Sequence, residues 1–158
     1  MKKIVSYMMT GILLLSFLLT GCGSQEPQTG KKMSMYYINT AETKVEVHEQ
    51  YLNTKTLDEQ LDETMRYLST TPEKLEYKAP LDMGFRVLDY EVEDGKLLIN
   101  VDKAYSELSP TTEVLVRAAI VRTLTQLPNV KYVGITVEDS QLYDNAGELV
   151  GWMNADQF

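Results

Sequence analysis

The 158-residue sequence holds one cysteine, one histidine and one tryptophan, with only five prolines and three phenylalanines. A single thiol, Cys22, excludes an internal disulfide and any multi-thiolate metal centre, so packing has to hold the fold together. With His48 as the sole imidazole, in a stretch that reads as an exposed strand, a Ser or Cys nucleophile activated by a neighbouring base has little to draw on. Cationic side chains are also short: 15 Lys and Arg stand against 23 Asp and Glu, a formal charge of −8, which disfavours phosphate backbones and anionic lipid headgroups as partners. Beyond the N-terminus there is no apolar run of membrane-spanning length.

What is present begins with that N-terminus. Met1-Lys2-Lys3 is a positive start, Ile4 to Leu19 is apolar but short for a bilayer core about 30 Å thick, and Leu19-Thr20-Gly21-Cys22 follows. The pattern reads as a signal peptide over residues 1–21 ending in a lipobox, in which small residues admit the peptidase and the Cys22 thiol accepts diacylglycerol. Acyl chains of the palmitate kind contribute about 0.8 kcal/mol per buried methylene, so two or more make a durable anchor. Residues 22–32 then form the lipidated cysteine and a spacer without aliphatic or aromatic side chains, and residues 33–158 suit one domain. The expected location is the extracytoplasmic face of the cell membrane.

Within the domain, Met33 to Ile38 and the alternating Val45 and Val47 predict two strands joined by a turn at Asn39 to Glu42. Thr56 and Glu59 form a capping-box pattern ahead of a helix whose stripe is Leu57, Leu61, Met65 and Leu68, ending near Ser69-Thr70-Thr71-Pro72. A loop through Pro80 is expected next. Asp94-Gly95 marks a hairpin between Phe85–Val92 and Lys96–Asp102, with a bulge near Val87 where the alternation shifts and Leu88, Tyr90 and Val92 take over the apolar face. Ser109-Pro110 opens a second helix, apolar almost all round, that runs to Pro128 and reads first as the central helix of the core and second as one carrying a further apolar face for a partner. Val130 to Val137 is a strand, and Leu149 to Met153 a further short edge strand. The order, ββαββαβ with one more β, predicts an α+β fold: a mainly antiparallel sheet with two helices packed on one face.

The opening strand Met35-Tyr36-Tyr37-Ile38, the acidic helix Leu57 to Leu68, the hairpin end Leu97-Leu98-Ile99-Asn100-Val101-Asp102 and the run Thr123-Leu124-Thr125-Gln126-Leu127-Pro128-Asn129-Val130-Lys131-Tyr132-Val133 together resemble a GerMN domain, the sporulation and germination module of Gram-positive lipoproteins. The chain departs from that pattern at Lys103, where Ser usually follows the hairpin, and at Thr71-Pro72, where Gly-Pro commonly ends the first helix. The resemblance implies a non-enzymatic domain that binds or supports other envelope or sporulation proteins, with no cofactor beyond the covalent diacylglycerol on Cys22 and no nucleic acid.

Asp58, Glu59, Asp62 and Glu63 fit the wet face of an amphipathic helix better than a cation site, and Asp139, Asp144 and Asn145 lack calcium-loop spacing, so neither a catalytic nor a metal set is assigned. Tyr36, Tyr37, Tyr67, Tyr77, Tyr90, Trp152 and Phe158 could line a groove for cell-wall glycan or a small ligand, with the Asp139 to Gly147 loop beside it, which is the alternative function.

Overall fold

The computed structural model describes residues 30–72 and 76–158. Cys22 and the residues expected to form the signal peptide, the lipobox and most of the spacer lie outside the described residues, and among the described ones no helix is long and apolar enough to cross a membrane.

Two strands open the domain. β1 (Lys31–Asn39) pairs antiparallel with β2 (Val45–Leu52), and Met33, Met35 and Tyr37 point alternately into the core as the period-two pattern requires. The connecting turn is held by the Asn39 side chain, whose Oδ1 accepts from the Thr43 and Lys44 amides at 2.8 and 3.0 Å. Helix α1 (Leu57–Leu68) starts on the expected capping box: the Thr56 hydroxyl accepts from the Glu59 amide at 3.3 Å, and the Glu59 carboxylate accepts from the Thr56 amide at 3.2 Å. Those bonds hold the Glu59 carboxyl below its usual range. Leu61, Met65 and Leu68 are buried, and the helix stops at Ser69. The segment expected as loop holds a short strand, β3 (Tyr77–Lys78), which pairs with Ile38 and Asn39. Two residues are too few for periodicity to register.

β4 (Val87–Glu93) and β5 (Lys96–Val101) form the hairpin around Asp94 (φ 51°) and Gly95 (φ 80°), a primed turn in which both central residues are left-handed. The bulge falls between Val87 and Asp89. It does not turn Leu88 inward with Tyr90 and Val92: Leu88 is the extra residue and is 49 % exposed. On β5, Leu97, Ile99 and Val101 are buried as expected. Asp102 then caps a short 3-10 helix (Lys103–Glu107), accepting from the Ala104 amide at 3.2 Å, and its other oxygen takes the Arg86 Nε at 3.0 Å.

Helix α2 (Pro110–Leu124) has Ser109 as N-cap and Pro110 at its first position. It ends at Leu124 rather than Pro128. The chain tightens there into three-residue turns, with Gln126 and Leu127 donating to Thr123 and Leu124 at 3.2 and 3.0 Å, because Pro128 disfavours helical geometry in the residue before it. Buried Val116, Ala119, Ile120, Val121 and Leu124 make α2 the central helix. It carries the chain from β5 to β6 (Tyr132–Val137), which therefore pairs parallel with β5, as a crossover connection allows and a tight hairpin cannot. A short β7 (Ser140–Gln141) pairs antiparallel with β6.

The α+β architecture is as expected, with the strands divided into two sheets, β2-β1-β3 and β4-β5-β6-β7, every strand pair antiparallel except β5 with β6. Leu149 to Met153 is not a strand. It makes two isolated bridges, Tyr143 with Leu149 and Val133 with Met153, the latter through two backbone bonds of 2.8 Å.

The part of β1's edge that β3 leaves free is closed by side chains from the end of α2 and the turn after it. The Thr123 hydroxyl accepts from the Tyr36 amide at 3.0 Å, and the Gln126 amide group accepts from the Ser34 N–H at 3.0 Å while donating to the Ser34 carbonyl at 2.7 Å. Gln126 thus makes the pair of bonds that a neighbouring strand would make, which protects an edge otherwise open to foreign strands.

Candidate functional site

A groove between the start of α1 and the β4–β5 turn gathers parts of the sequence that are far apart. One hollow of about 220 Å³ is floored by Leu57, Leu61, Val92 and Val130 and rimmed by Asp58, Asp62, Tyr90 and Glu91. A second, of about 600 Å³, shares Leu57, Asp58 and Val92 and continues over Asp94, Gly95, Pro128, Asn129 and Lys131.

Local chemistry places each wall. The capping box fixes where α1 begins and so where Leu57 and Asp58 lie. The primed turn brings Gly95 against the Pro128-Asn129-Val130 bend, and the Gly95 carbonyl accepts from the Lys131 and Tyr132 amides at 2.8 and 3.2 Å. Tyr90 bridges hairpin and helix, its hydroxyl donating to the Asp62 carboxylate at 2.7 Å. Burial, together with the Asp62 oxygen that holds its proton, pushes the Tyr90 phenol up to about 12. The groove carries four carboxylates, Asp58, Asp62, Glu91 and Asp94, against the single lysine Lys131, around an aliphatic floor.

The residues weighed for other chemistry are dispersed. Glu59 caps the helix, and Glu63 accepts from the amides of Asn53 and Thr54 at 3.0 and 3.3 Å, so the acids of α1 do not converge on one point. Asp144 closes its own turn by accepting from Ala146 and Glu148 at 2.9 Å each, and Asp139 takes the Asn100 amide group at 2.7 Å. Among the described residues no group of three or more His, Cys, Asp and Glu is arranged to hold a metal ion. His48 lies half-buried in β2. The seven aromatics do not form one groove. Tyr37 is buried and stacks on Tyr77 at 6.2 Å, Tyr36 lies under the Arg122 guanidinium at 4.3 Å, and Tyr67 accepts from Gln50 at 3.0 Å. Trp152 and Phe158 share a hollow.

Sequence reasoning overlooked Val92, Asp94, Asn129 and Lys131 as neighbours of α1, since no spacing along the chain ties a helix start to a hairpin turn.

The sequence model of the Germane family, described as sporulation and spore germination, matches residues 34–143. The chain belongs to this family. Its fold is that of a GerMN domain. The first GerMN domain of the sporulation protein GerM from Bacillus subtilis superposes with a TM-score of 0.61 at 14% identity, covering 81% of this chain and 99% of that one. The tandem GerMN domains of the same protein match with a TM-score of 0.56 at 18% identity over 85% of this chain, which spans only 49% of theirs. A Clostridium perfringens protein described as a lipoprotein matches with a TM-score of 0.54 at 17% identity, over 80% of this chain and 89% of that chain. No curated protein matched the sequence. The groove lies wholly inside the span that matches the Germane family, whereas residues 144–158 fall beyond it.

Proposed function

We propose that this Germane-family protein is an extracytoplasmic lipoprotein, anchored through diacylglycerol on Cys22, whose GerMN domain is a non-catalytic docking module for envelope proteins of sporulation or germination. The observation that carries the docking reading is the acidic, aliphatic-floored groove, where two of the segments that mark the family, the acidic helix and the Pro128-Asn129-Val130 bend, meet the turn of the β4–β5 hairpin. Its charge favours one occupant, a basic protein segment with an apolar side chain. Such a segment would place aliphatic groups on Leu57, Leu61 and Val92 and lysines or arginines beside Asp58 and Glu91.

A photo-crosslinking residue at Leu57, in the full-length chain in sporulating cells, tests this against the same residue at Val47, which is 55 % exposed on β2 away from the groove. Crosslinks to defined envelope proteins from Leu57 and not from Val47, lost in Asp58→Lys/Glu91→Lys, are expected. Crosslinks indifferent to that charge reversal would sink the groove as the docking site. In the same cells Cys22→Ala should shift the protein out of the membrane fraction or leave it unprocessed, and unchanged fractionation would remove the anchor.

A further inference from the structure

The C-terminal segment, past the family match, builds a hollow of about 290 Å³ whose walls include Trp152, Phe158, Leu149, Asp144 and Glu148, with Arg117 reaching it from α2. Exposed large apolar side chains collect on this end of the domain: Tyr143, Leu149, Trp152 and Phe158 are 57 %, 53 %, 42 % and 37 % exposed. The Val133–Met153 bridge anchors the segment on β6, and Trp152 lies over Gly134, where an added Cβ would come within 2.8 Å of the indole. Glycine there lets the ring sit close against the sheet. Lys96 stands 5.3 Å from the ring centroid and lines a separate hollow that also borders Trp152.

Arg117 is unusual for a residue at such an opening. Its side chain is only 14% exposed, and its Nε lies 3.1 Å from the Glu113 carboxylate without hydrogen-bond geometry, leaving that nitrogen and Glu113 Oε1 buried and unpartnered. Asn145 reaches the other Glu113 oxygen at 3.4 Å. The pair is therefore held in place by surrounding structure rather than by an ideal fork.

We propose that this hollow binds one neutral pyranose ring, stacked on Trp152 and hydrogen-bonded through its hydroxyls to Glu148, Asp144 and Arg117. The C–H face of a pyranose is apolar and lies flat on an aromatic ring, while its adjacent hydroxyls match the paired oxygens of a carboxylate and the paired N–H groups of a guanidinium. Charge decides the class: two carboxylates, Asp144 and Glu148, stand against two cations, Arg117 and Lys96, so neither sign dominates around Trp152 and a neutral sugar is favoured over an anionic or an ammonium ligand. The volume, about 290 Å³, lies just below the range of about 300–1,000 Å³ for small-molecule sites, so it suits one ring rather than an extended chain. The site is distinct from the docking groove and stands independently of it. Its link to wall glycan rests on the extracytoplasmic reading.

Trp152 is the sole tryptophan, so intrinsic fluorescence of the purified full-length chain in detergent reports the site directly. The probes are N,N′-diacetylchitobiose and cellobiose, with tetramethylammonium as the cationic comparison. A saturable emission change with either disaccharide is expected, with the dissociation constant rising at least five-fold in Glu148→Ala and in Phe158→Ala, both at exposed positions that leave the core intact. Flat disaccharide titrations, a response to tetramethylammonium alone, or one unaffected by both substitutions would overturn the site. None of these outcomes depends on protein docking or on the lipid anchor.

Discussion

Replacing Thr123 by Val tests whether α2 stands in for a strand beside β1. The two side chains are nearly the same shape, but valine cannot accept from the Tyr36 amide, now bonded at 3.0 Å, or donate to the Ala119 carbonyl, now bonded at 2.8 Å. The Ala119 carbonyl keeps its helical partner, so the loss concentrates on the Tyr36 N–H. An unpartnered buried donor costs about 1–3 kcal/mol, and a half-buried one belongs in the lower half of that range. The extra buried methyl returns up to about 0.8 kcal/mol. The net expectation is a destabilisation of about 1 kcal/mol, which at a urea m-value of about 2 kcal/mol/M lowers the unfolding midpoint by about 0.5 M. Amide exchange at Tyr36 should accelerate by more than global destabilisation explains. Thr123→Ser, which keeps the hydroxyl, should retain the Tyr36 protection even where removal of the methyl lowers stability. A valine variant as stable as the parent, with its Tyr36 amide still protected, would refute the edge-closure argument.

Two further predictions follow from local geometry. Gly95→Ala should cost about 1 kcal/mol, because the residue sits at φ 80° while the added Cβ meets nothing nearer than 3.6 Å, so backbone strain is the whole effect; Gly95→Asn should recover part of it in urea unfolding. Glu42 takes hydrogen bonds from Lys78 and Thr112 that hold its carboxyl below the usual range. A depressed folded-state value stabilises the protein above the ordinary carboxylate range and is lost as pH falls through the lowered value. Glu42→Gln should therefore be about 0.5 kcal/mol less stable at pH 7, with the gap closing below about pH 4. Urea midpoints at pH 7 and pH 3 measure this, and a gap that widens in acid would contradict the sign.

Interactions that are short in sequence were legible before the fold was known. The Thr56–Glu59 capping box, the Asp94-Gly95 turn, the Ser109-Pro110 start of α2 and the buried alternations of β1 and β5 depend on neighbours within a few residues, so composition and period reveal them. The apolar circumference of α2 likewise announced the central helix, although Val114 near its start is 46 % exposed. Errors cluster where distant partners decide. The two-residue β3 exists because Ile38 and Asn39 offer it an edge, and Leu149 to Met153 stays irregular because it is held at separate points, Leu149 by Tyr143 and Met153 by Val133, with no continuous ladder.

The same division runs through the functional surfaces. Sequence alone determined the acidic balance, the single thiol at Cys22, the family, the two α-helices and the five longer strands, because each is a property of residue type or of spacing along the chain. Tertiary structure alone decided that Gln126 and Thr123 would close β1, that Asp58 would face Asp94 across a groove, and that Trp152 would rest on Gly134 beside Arg117. Each of those contacts joins residues far apart in the chain. Their positions are set by how helices and sheets bury their apolar faces against one another, which no local pattern encodes.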